Sequence, residues 1–316
     1  MKKILDQSNK KLETICAVVV TYNRKKLLIE CLEALLKQTR PLDGIYIIDN
    51  ASTDGTPELL KEKGFIQELP PEELNEPWEK EFKKESLPIF YVRMHENTGG
   101  AGGFHEGVKR AYEKGYDWLW LMDDDVEAVK NGLEELLKFK HISSCIHPIK
   151  IFEDGSIFNW NGYICEKIGD FVHLEENFKD NEFCVVNYGC FEGMLISKKI
   201  IHKIGNPDPK FFIIGDDTYY GYLASKYTNV VYVKHVALVK KIKKQIKKPN
   251  KLTLYLINRN LTYVFLKISQ YKKFTLILRF YKALKNVIKY KTLVPLEGFM
   301  DGLKEKWGKE KKYLGK

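Results

Sequence analysis

Three carboxylates in succession, Asp123-Asp124-Asp125, follow directly on the apolar run Trp118-Leu119-Trp120-Leu121-Met122. Such a run reads as a buried strand, so the acids fall where the strand leaves the sheet. That edge is where α/β proteins place their chemistry. Adjacent anions repel by about 1 kcal/mol per close pair in water and by about 4 at an effective dielectric near 20. A divalent cation would turn that cost into binding. Magnesium and manganese take oxygen ligands, commonly one or two carboxylates together with the phosphates of a substrate. A solvated acidic turn capping the next helix would satisfy the same three residues, and the run alone leaves the two readings level.

Other polar clusters also end apolar runs. Thr21-Tyr22-Asn23-Arg24 follows Ile15 to Val20, just before a helical pattern, and helix N-termini favour phosphate and polar ligands. Asp49-Asn50-Ala51-Ser52-Thr53-Asp54-Gly55-Thr56 follows Ile45 to Ile48 and offers a carboxylate and amides to a base or ribose. An Asx-rich turn accounts equally for Ser52 to Thr56, but less well for Asp49. The segment Asn97-Thr98-Gly99-Gly100-Ala101-Gly102-Gly103-Phe104 reads as a loop that lets backbone approach a ligand closely. It fails the dinucleotide fingerprint G-x-G-x-x-G because the position three beyond Gly102 is His105. Downstream, Phe211-Phe212-Ile213-Ile214 runs into Gly215-Asp216-Asp217, and Val230 to Val233 runs into Lys234-His235. A carboxylate near a substrate hydroxyl can serve as general base. A single histidine after a strand is more often structural.

Behind these clusters stand elements that alternate strand and helix. Strands are expected at Ile15 to Val20, Ile45 to Ile48, Ile89 to Val92 and Trp118 to Met122. Helices are expected over Lys25 to Lys37, from Pro57, and from Phe104 to Lys114. This order implies a mostly parallel sheet with right-handed crossovers. The acidic, proline-containing stretch between Gly64 and Leu87 reads as a surface insertion. Beyond Asp125 come shorter runs, Ser144 to Ile151, Cys184 to Val186, Met194 to Ile196 and Val230 to Val233, where mixed strands with long loops are expected. From Leu252 apolar residues return at helical spacing with lysine and arginine interleaved. The division expected is therefore 1–240 as one α/β unit and 241–316 as a basic helical region.

With 44% hydrophobic and 30% charged residues among 316, the chain has the composition of a folded globular protein. Six cysteines without a C-x-x-C pair read as reduced core thiols and not as a disulfide frame or zinc site. The polar N-terminal residues lack a signal peptide's apolar core, so a cytoplasmic location is expected. No stretch reaches the ~18 uninterrupted apolar residues of a membrane span. The net charge of +10 is unevenly spread. From Lys240 onward there are about 22 Lys+Arg against 4 Asp+Glu, which leaves 30 against 38 in the preceding residues.

Taken together, Val18 to Arg24, Ile48 to Thr56, Asn97 to Phe104, Asp123 to Asp125, Gly215-Asp216-Asp217 and Leu254-Tyr255-Leu256-Ile257-Asn258-Arg259-Asn260 resemble the family 2 inverting glycosyltransferases. The likeness runs over about residues 14 to 240 and is strongest to the bacterial galactofuranosyltransferase and rhamnosyltransferase subgroup. It implies a GT-A fold, a Rossmann-like mostly parallel sheet flanked by helices, and displacement at the anomeric carbon of a UDP- or dTDP-sugar. In that family pattern Asp123 and Asp125 hold Mn²⁺ or Mg²⁺ against the pyrophosphate and His235 completes the site, while all three aspartates being present leaves the ligand pair open. Asp217 takes the role of general base, and Asp216 positions the sugar or acceptor. Thr21, Asn23, Arg24, Asp49, Asn50, Asn97 and Asp124 bind the donor, Gly99 and Gly100 line the sugar-phosphate channel, and Trp160 stacks on an acceptor sugar or belongs to the core.

The resemblance also implies a glycan or lipid-linked acceptor in bacterial surface polysaccharide synthesis. Helices with lysines beside apolar faces suit an anionic membrane surface, each basic residue contributing about 1 kcal/mol there, so a peripheral position on the inner face of the membrane is expected. A helical bundle with a solvated basic face accounts for the same pattern. Two competing readings are a nucleic-acid-binding protein using Lys240 to Lys248 and a catalytically idle scaffold of the same fold. The first lacks a reader motif, and its acidic first half repels phosphate; the second leaves the intact acids without a purpose.

Overall fold

The seven residues of β1 (Ile15–Thr21) are all buried, which requires a strand covered on both faces. The computed structural model describes residues 12–158, 162–173, 178, 181–242 and 248–314. It places β1 between β2 (Gly44–Asp49) and β5 (Trp118–Asp123), both parallel to it, with β4 (Leu87–Arg93) parallel beyond β2. The edge beyond β4 is β3 (Trp78–Lys84), antiparallel. This strand lies in the stretch expected as a surface insertion. Its sequence WEKEFKK buries Phe82 and exposes charge elsewhere, the composition that discourages further edge pairing.

On the far side of β5 the sheet turns mixed. β11 (Leu195–Ser197) runs antiparallel to β5 and to β7 (Cys145–Phe152), β12 (Val230–Lys240) is parallel to β7, and β10 (Phe183–Val186) closes that edge antiparallel to β12. The short β6 (Val126–Ala128) pairs with the end of β12, and a separate hairpin joins β8 (Gly162–Cys165) to β9 (Asp170–His173). β12 outruns its expected end at Val233 because it continues through two register shifts to Lys240.

Alternation along β1 sends Ile15, Ala17 and Val19 into one core and Cys16, Val18 and Val20 into another. The first core is covered by α1 (Lys25–Leu36), α2 (Thr56–Glu62) and α4 (Gly132–Leu137), through Leu28, Leu32, Leu60, Leu133 and Leu136. The second is covered by α3 (Gly99–Lys114), α5 (Lys198–Ile204) and α6 (Asp216–Ala224), through Phe104, Val108, Ile200 and Tyr220. α3 begins five residues before its expected start, so the glycines form its first turn instead of a loop. The reason is close packing. A Cβ on Gly103 would lie 2.5 Å from Val20 Cγ1, and one on Gly107 2.3 Å from Val18 Cγ1.

The chain ends in α7 (Lys251–Ile268), α8 (Lys272–Tyr290) and α9 (Val294–Leu303). α7 is anchored by a buried Arg259 and Asn260. Asn260 Nδ2 donates to the carbonyls of Phe211, Ile213 and Ile214, at 3.0, 2.9 and 2.7 Å, and Arg259 donates to that of Phe211 at 2.9 Å. Those contacts hold the loop that leads into Gly215-Asp216-Asp217. Its backbone is strained, since Phe212 and Ile214 both sit at positive φ, +68° and +71°, a conformation that costs a side-chain-bearing residue about 1–3 kcal/mol.

Candidate active site

Parallel pairing aligns the strand ends. Thr21 stands beside Asp49, Val20 beside Asp123, and Asp49 beside Arg93, so the polar residues after β1, β2 and β5 share one carboxyl edge. Around the three aspartates the contacts are dense. Thr21 Oγ1 donates to Asp124 Oδ2 at 2.6 Å, and Arg24 Nη1 donates to Asp124 Oδ1 at 3.2 Å and to Asp125 Oδ2 at 2.8 Å. Lys240, at the end of β12, reaches Asp125 Oδ1 at 3.0 Å and also bonds Glu192 Oε1. Glu192 Oε2 accepts from the buried Lys150 Nζ at 2.7 Å. Gly193 N donates to Leu121 O, which sets Glu192 beside the end of β5.

These neighbours divide the acids electrostatically. Burial opposes the charge of Glu192, yet Lys150 and Lys240 overcome it and hold this carboxyl well below the usual range. Asp123 is pushed well above its ordinary value by burial and by the charges of Glu192 and Asp125, and it shares a hydrogen bond with Glu192. Burial also raises Asp124, against the pull of Arg24 and Thr21, to about 6.

A pair of carboxyls bonded to each other needs a proton or a cation between them. One oxygen each from Asp123, Asp125 and Glu192 lies within 4.8 Å of the others, a hard all-oxygen donor set suited to magnesium or manganese. The donor set therefore fits a divalent ion. His235 is not in it. The register shifts of β12 turn His235 toward a cleft shared with Glu135, Lys138, His141 and Glu182, and β12 delivers Lys240 to the acids instead.

Asp217 stands at the start of α6, within electrostatic reach of Lys150 and Glu192. Its Oδ1 accepts from Thr218 N at 2.6 Å and Thr218 Oγ1 at 3.2 Å, and no described residue donates to Oδ2. Burial raises its proton affinity. Asp216 is buried and lines a cleft with His105, Pro207 and Tyr219, of which Asp217 is not part. Trp160 lies outside the described residues.

The expected donor-binding residues separate into two groups. Thr21 and Arg24 touch the acids directly. Asp49, fully buried, is bonded at both oxygens: Oδ2 accepts from Tyr91 Oη and Arg93 Nη1, both at 2.7 Å, and Oδ1 from Ser52 N at 2.8 Å. Asn50 bonds Asn97 Oδ1, Gly99 O and Thr98 N, which staples the β2 and β4 loops together. In this structure Asp49 and Asn50 shape the loop at the end of β2. Asn23, at φ +54°, receives Thr53 N on Oδ1 at 2.6 Å. Gly99 is at φ +71°, and a Cβ there would lie 2.1 Å from Phe212 O; Gly100 has room for one. Gly99 thus binds α3 to the strained loop, which is a structural use.

Sequence reasoning missed Glu192, Lys150 and Lys240. The only signal for Glu192 was a lone acid ahead of the apolar run Met194 to Ile196, and for Lys150 a lysine inside one.

Comparison with known proteins shows the family and the fold. The model of the family described as glycosyl transferase family 2 matches residues 16–68 and 71–205. The chain is 33% identical over 212 residues to galactofuranosyltransferase GlfT1 of Mycobacterium tuberculosis, covering 65% of this chain and 62% of that protein. It is 24% identical over 182 residues to the putative teichuronic acid biosynthesis glycosyltransferase TuaG of Bacillus subtilis, covering 57% and 61%. The matched stretch thus spans about three fifths of these relatives' own length. Among solved structures, S. aureus TarS 1-349 in complex with UDP-GlcNAc superposes with a TM-score of 0.60 at 12% identity, over 92% of this chain and 80% of that one. Likeness at that identity speaks for the fold, which is of the GT-A type. The family match runs through β1, β5 and Glu192, the segments that build the acidic cluster, and this chain belongs to glycosyl transferase family 2.

Proposed function

We propose that the protein is a metal-dependent inverting glycosyltransferase. It moves a sugar of the galactofuranose, galactose or rhamnose class from a UDP- or dTDP-sugar to a glycan or lipid-linked acceptor of the bacterial surface. The observation that carries this reading is the gathering of Asp123, Asp125 and Glu192 at the end of β5, with Asp217 at the start of α6 within electrostatic reach of Lys150 and Glu192. Likeness to galactofuranosyltransferase GlfT1 and to the putative teichuronic acid glycosyltransferase TuaG supports the sugar class and polysaccharide synthesis, and likeness to TarS, whose structure holds UDP-GlcNAc, supports a uridine nucleotide donor. Residues 1–240 form the catalytic unit in this proposal, residues 241–316 brace it, and the enzyme works at the inner face of the cell membrane.

When bound, Mn²⁺ or Mg²⁺ would be held by Asp123, Asp125 and Glu192 and would neutralise charge developing on the leaving diphosphate. Arg24 supplies a fixed positive charge beside the same acids and is placed to meet a phosphate oxygen. Thr21 and Arg24 hold Asp124 in one orientation, which keeps the neighbouring carboxylates aimed at the opening. Asp217 accepts the acceptor's hydroxyl proton on Oδ2, since Thr218 occupies Oδ1 and fixes the carboxyl plane. Burial raises its proton affinity, which makes it a stronger proton acceptor than an exposed aspartate.

The test is donor hydrolysis and transfer across UDP-galactofuranose, UDP-galactose and dTDP-rhamnose, with and without manganese. Turnover of none of them, in either condition, would sink the proposal. Asp217→Asn is expected to bind the donor nucleotide as the wild type does and to lose transfer by at least 10³-fold, the upper part of what a general base contributes. Retained transfer would move the base to another group.

A further inference from the structure

α8 is fixed in rotation by its buried face. Thr275, Arg279 and Ala283 face inward, and Arg279 Nη2 bonds Asp170 Oδ1 at 2.8 Å. The opposite face carries large apolar side chains in water. Phe274 is 52% exposed, Ile277 67%, Tyr281 60% and Ile288 78%. At 100° per residue these four fall within an arc of about 60°, a continuous stripe along the helix. Scattered exposed apolar residues need no explanation, but a contiguous stripe does.

The charge around the stripe states what would cover it. Lys273 flanks one side, Lys285 and Lys289 the other, and all three are exposed. From Lys272 to Tyr290 the helix has six basic residues and no acidic one. No described helix is long and apolar enough to cross a membrane. An apolar stripe bordered by lysines is the arrangement of a helix lying in the plane of a bilayer surface. A second copy docked face to face would set these lysines against their equivalents, which disfavours self-association.

We infer that the exposed face of α8 seats on an anionic lipid bilayer, with Phe274, Ile277, Tyr281 and Ile288 entering the acyl boundary and Lys273, Lys285 and Lys289 meeting lipid phosphates. This surface is separate from the acidic cluster, and the inference goes beyond the transfer reaction to name the face that touches lipid.

The experiment is flotation of the full chain with vesicles of equal parts phosphatidylglycerol and phosphatidylcholine, compared with phosphatidylcholine alone. Removing the C-terminal helices is unsuitable, because α7 holds the loop before Asp217. Surface substitutions serve instead. Each basic residue near the surface is worth about fivefold in partition, so the Lys273→Glu, Lys285→Glu, Lys289→Glu triple variant is expected to lose at least about a hundredfold. Ile277→Asp with Ile288→Asp should also abolish flotation, with helix content by circular dichroism and donor hydrolysis unchanged. The inference is overturned by a wild type that stays unbound or prefers neither vesicle, or by an Ile277→Asp, Ile288→Asp variant that floats as before. A dimer in sedimentation velocity that the same variant splits would overturn it too. Hydrolysis without flotation defeats this inference alone, and flotation without hydrolysis defeats the proposed reaction alone.

Discussion

Lys240 Nζ stands between Asp125 and Glu192, two of the three acids that would hold a divalent ion. The ammonium draws on the same two carboxylates and repels a second cation, so Lys240 opposes binding of the ion. Lys240→Met keeps much of the side chain's bulk and removes the charge. It is expected to tighten Mn²⁺ binding by about tenfold or more, a fraction of the about 4 kcal/mol of a unit-charge pair at an effective dielectric of 20. Calorimetric titration of Mn²⁺ alone reads this directly, and weaker binding in the variant would make Lys240 a helper of the site. The acids at 123–125 were legible through their place in a series of motifs, after the glycine segment Asn97 to Phe104 and before Gly215-Asp216-Asp217, since three carboxylates after an apolar run would by themselves fit an acidic turn as well. Lys240 was not, since in sequence it is merely the first member of a lysine cluster. His235 drew attention by its residue type, and only the bulged path of β12 reveals that a residue five positions later makes the approach.

A helix far along the chain sets the shape of the loop before Asp217. Asn260 bonds three carbonyls of the segment Phe211 to Ile214, which contains two side-chain-bearing residues at positive φ. Without those bonds the loop relaxes and Asp217 loses its place. Asn260→Ala is expected to cost about 2–4 kcal/mol in urea denaturation, because it strands buried acceptors as well as removing bonds. It should also lower transfer while leaving Mn²⁺ affinity within about threefold, since Asp123, Asp125 and Glu192 lie on other segments. Equal loss of both would mean that the loop and the acids move together. The core elements were readable from the sequence, because β1, β2, β4 and β5 are short apolar runs and α1 repeats leucine at helical spacing. β3 was hidden by its edge position, where charge replaces apolar alternation. The glycine segment was misread as a loop because glycine's use in close helix-to-sheet contact leaves no mark distinct from its use in turns.

At the scale of the whole fold, one buried histidine makes stability depend on acidity. His147 lies fully buried in β7, and burial, aided by the charge of Lys150, lowers its proton affinity to about 3. An unfolded histidine protonates near 6.5, so between these values the unfolded chain binds the extra proton. Stability from this residue is complete above about pH 6.5 and drains away as the pH falls toward about 3, by up to about 1.4 kcal/mol per unit. Urea denaturation of the wild type and His147→Gln from about pH 7 to about pH 5 should give a steeper acid loss in the wild type. Parallel curves would show that His147 does not titrate on unfolding.

The Arg259 and Asn260 anchor also bears on the order in which the molecule can be finished during synthesis. Arg259 follows the Phe211 carbonyl that it grips by 48 residues. At about 5–20 residues per second, the loop ahead of Asp217 waits roughly 2–10 s on the ribosome for the helix that locks it. The sheet with its acids can therefore be in place before Asp217 is seated, and the two parts of the proposed site form at different times in the nascent chain.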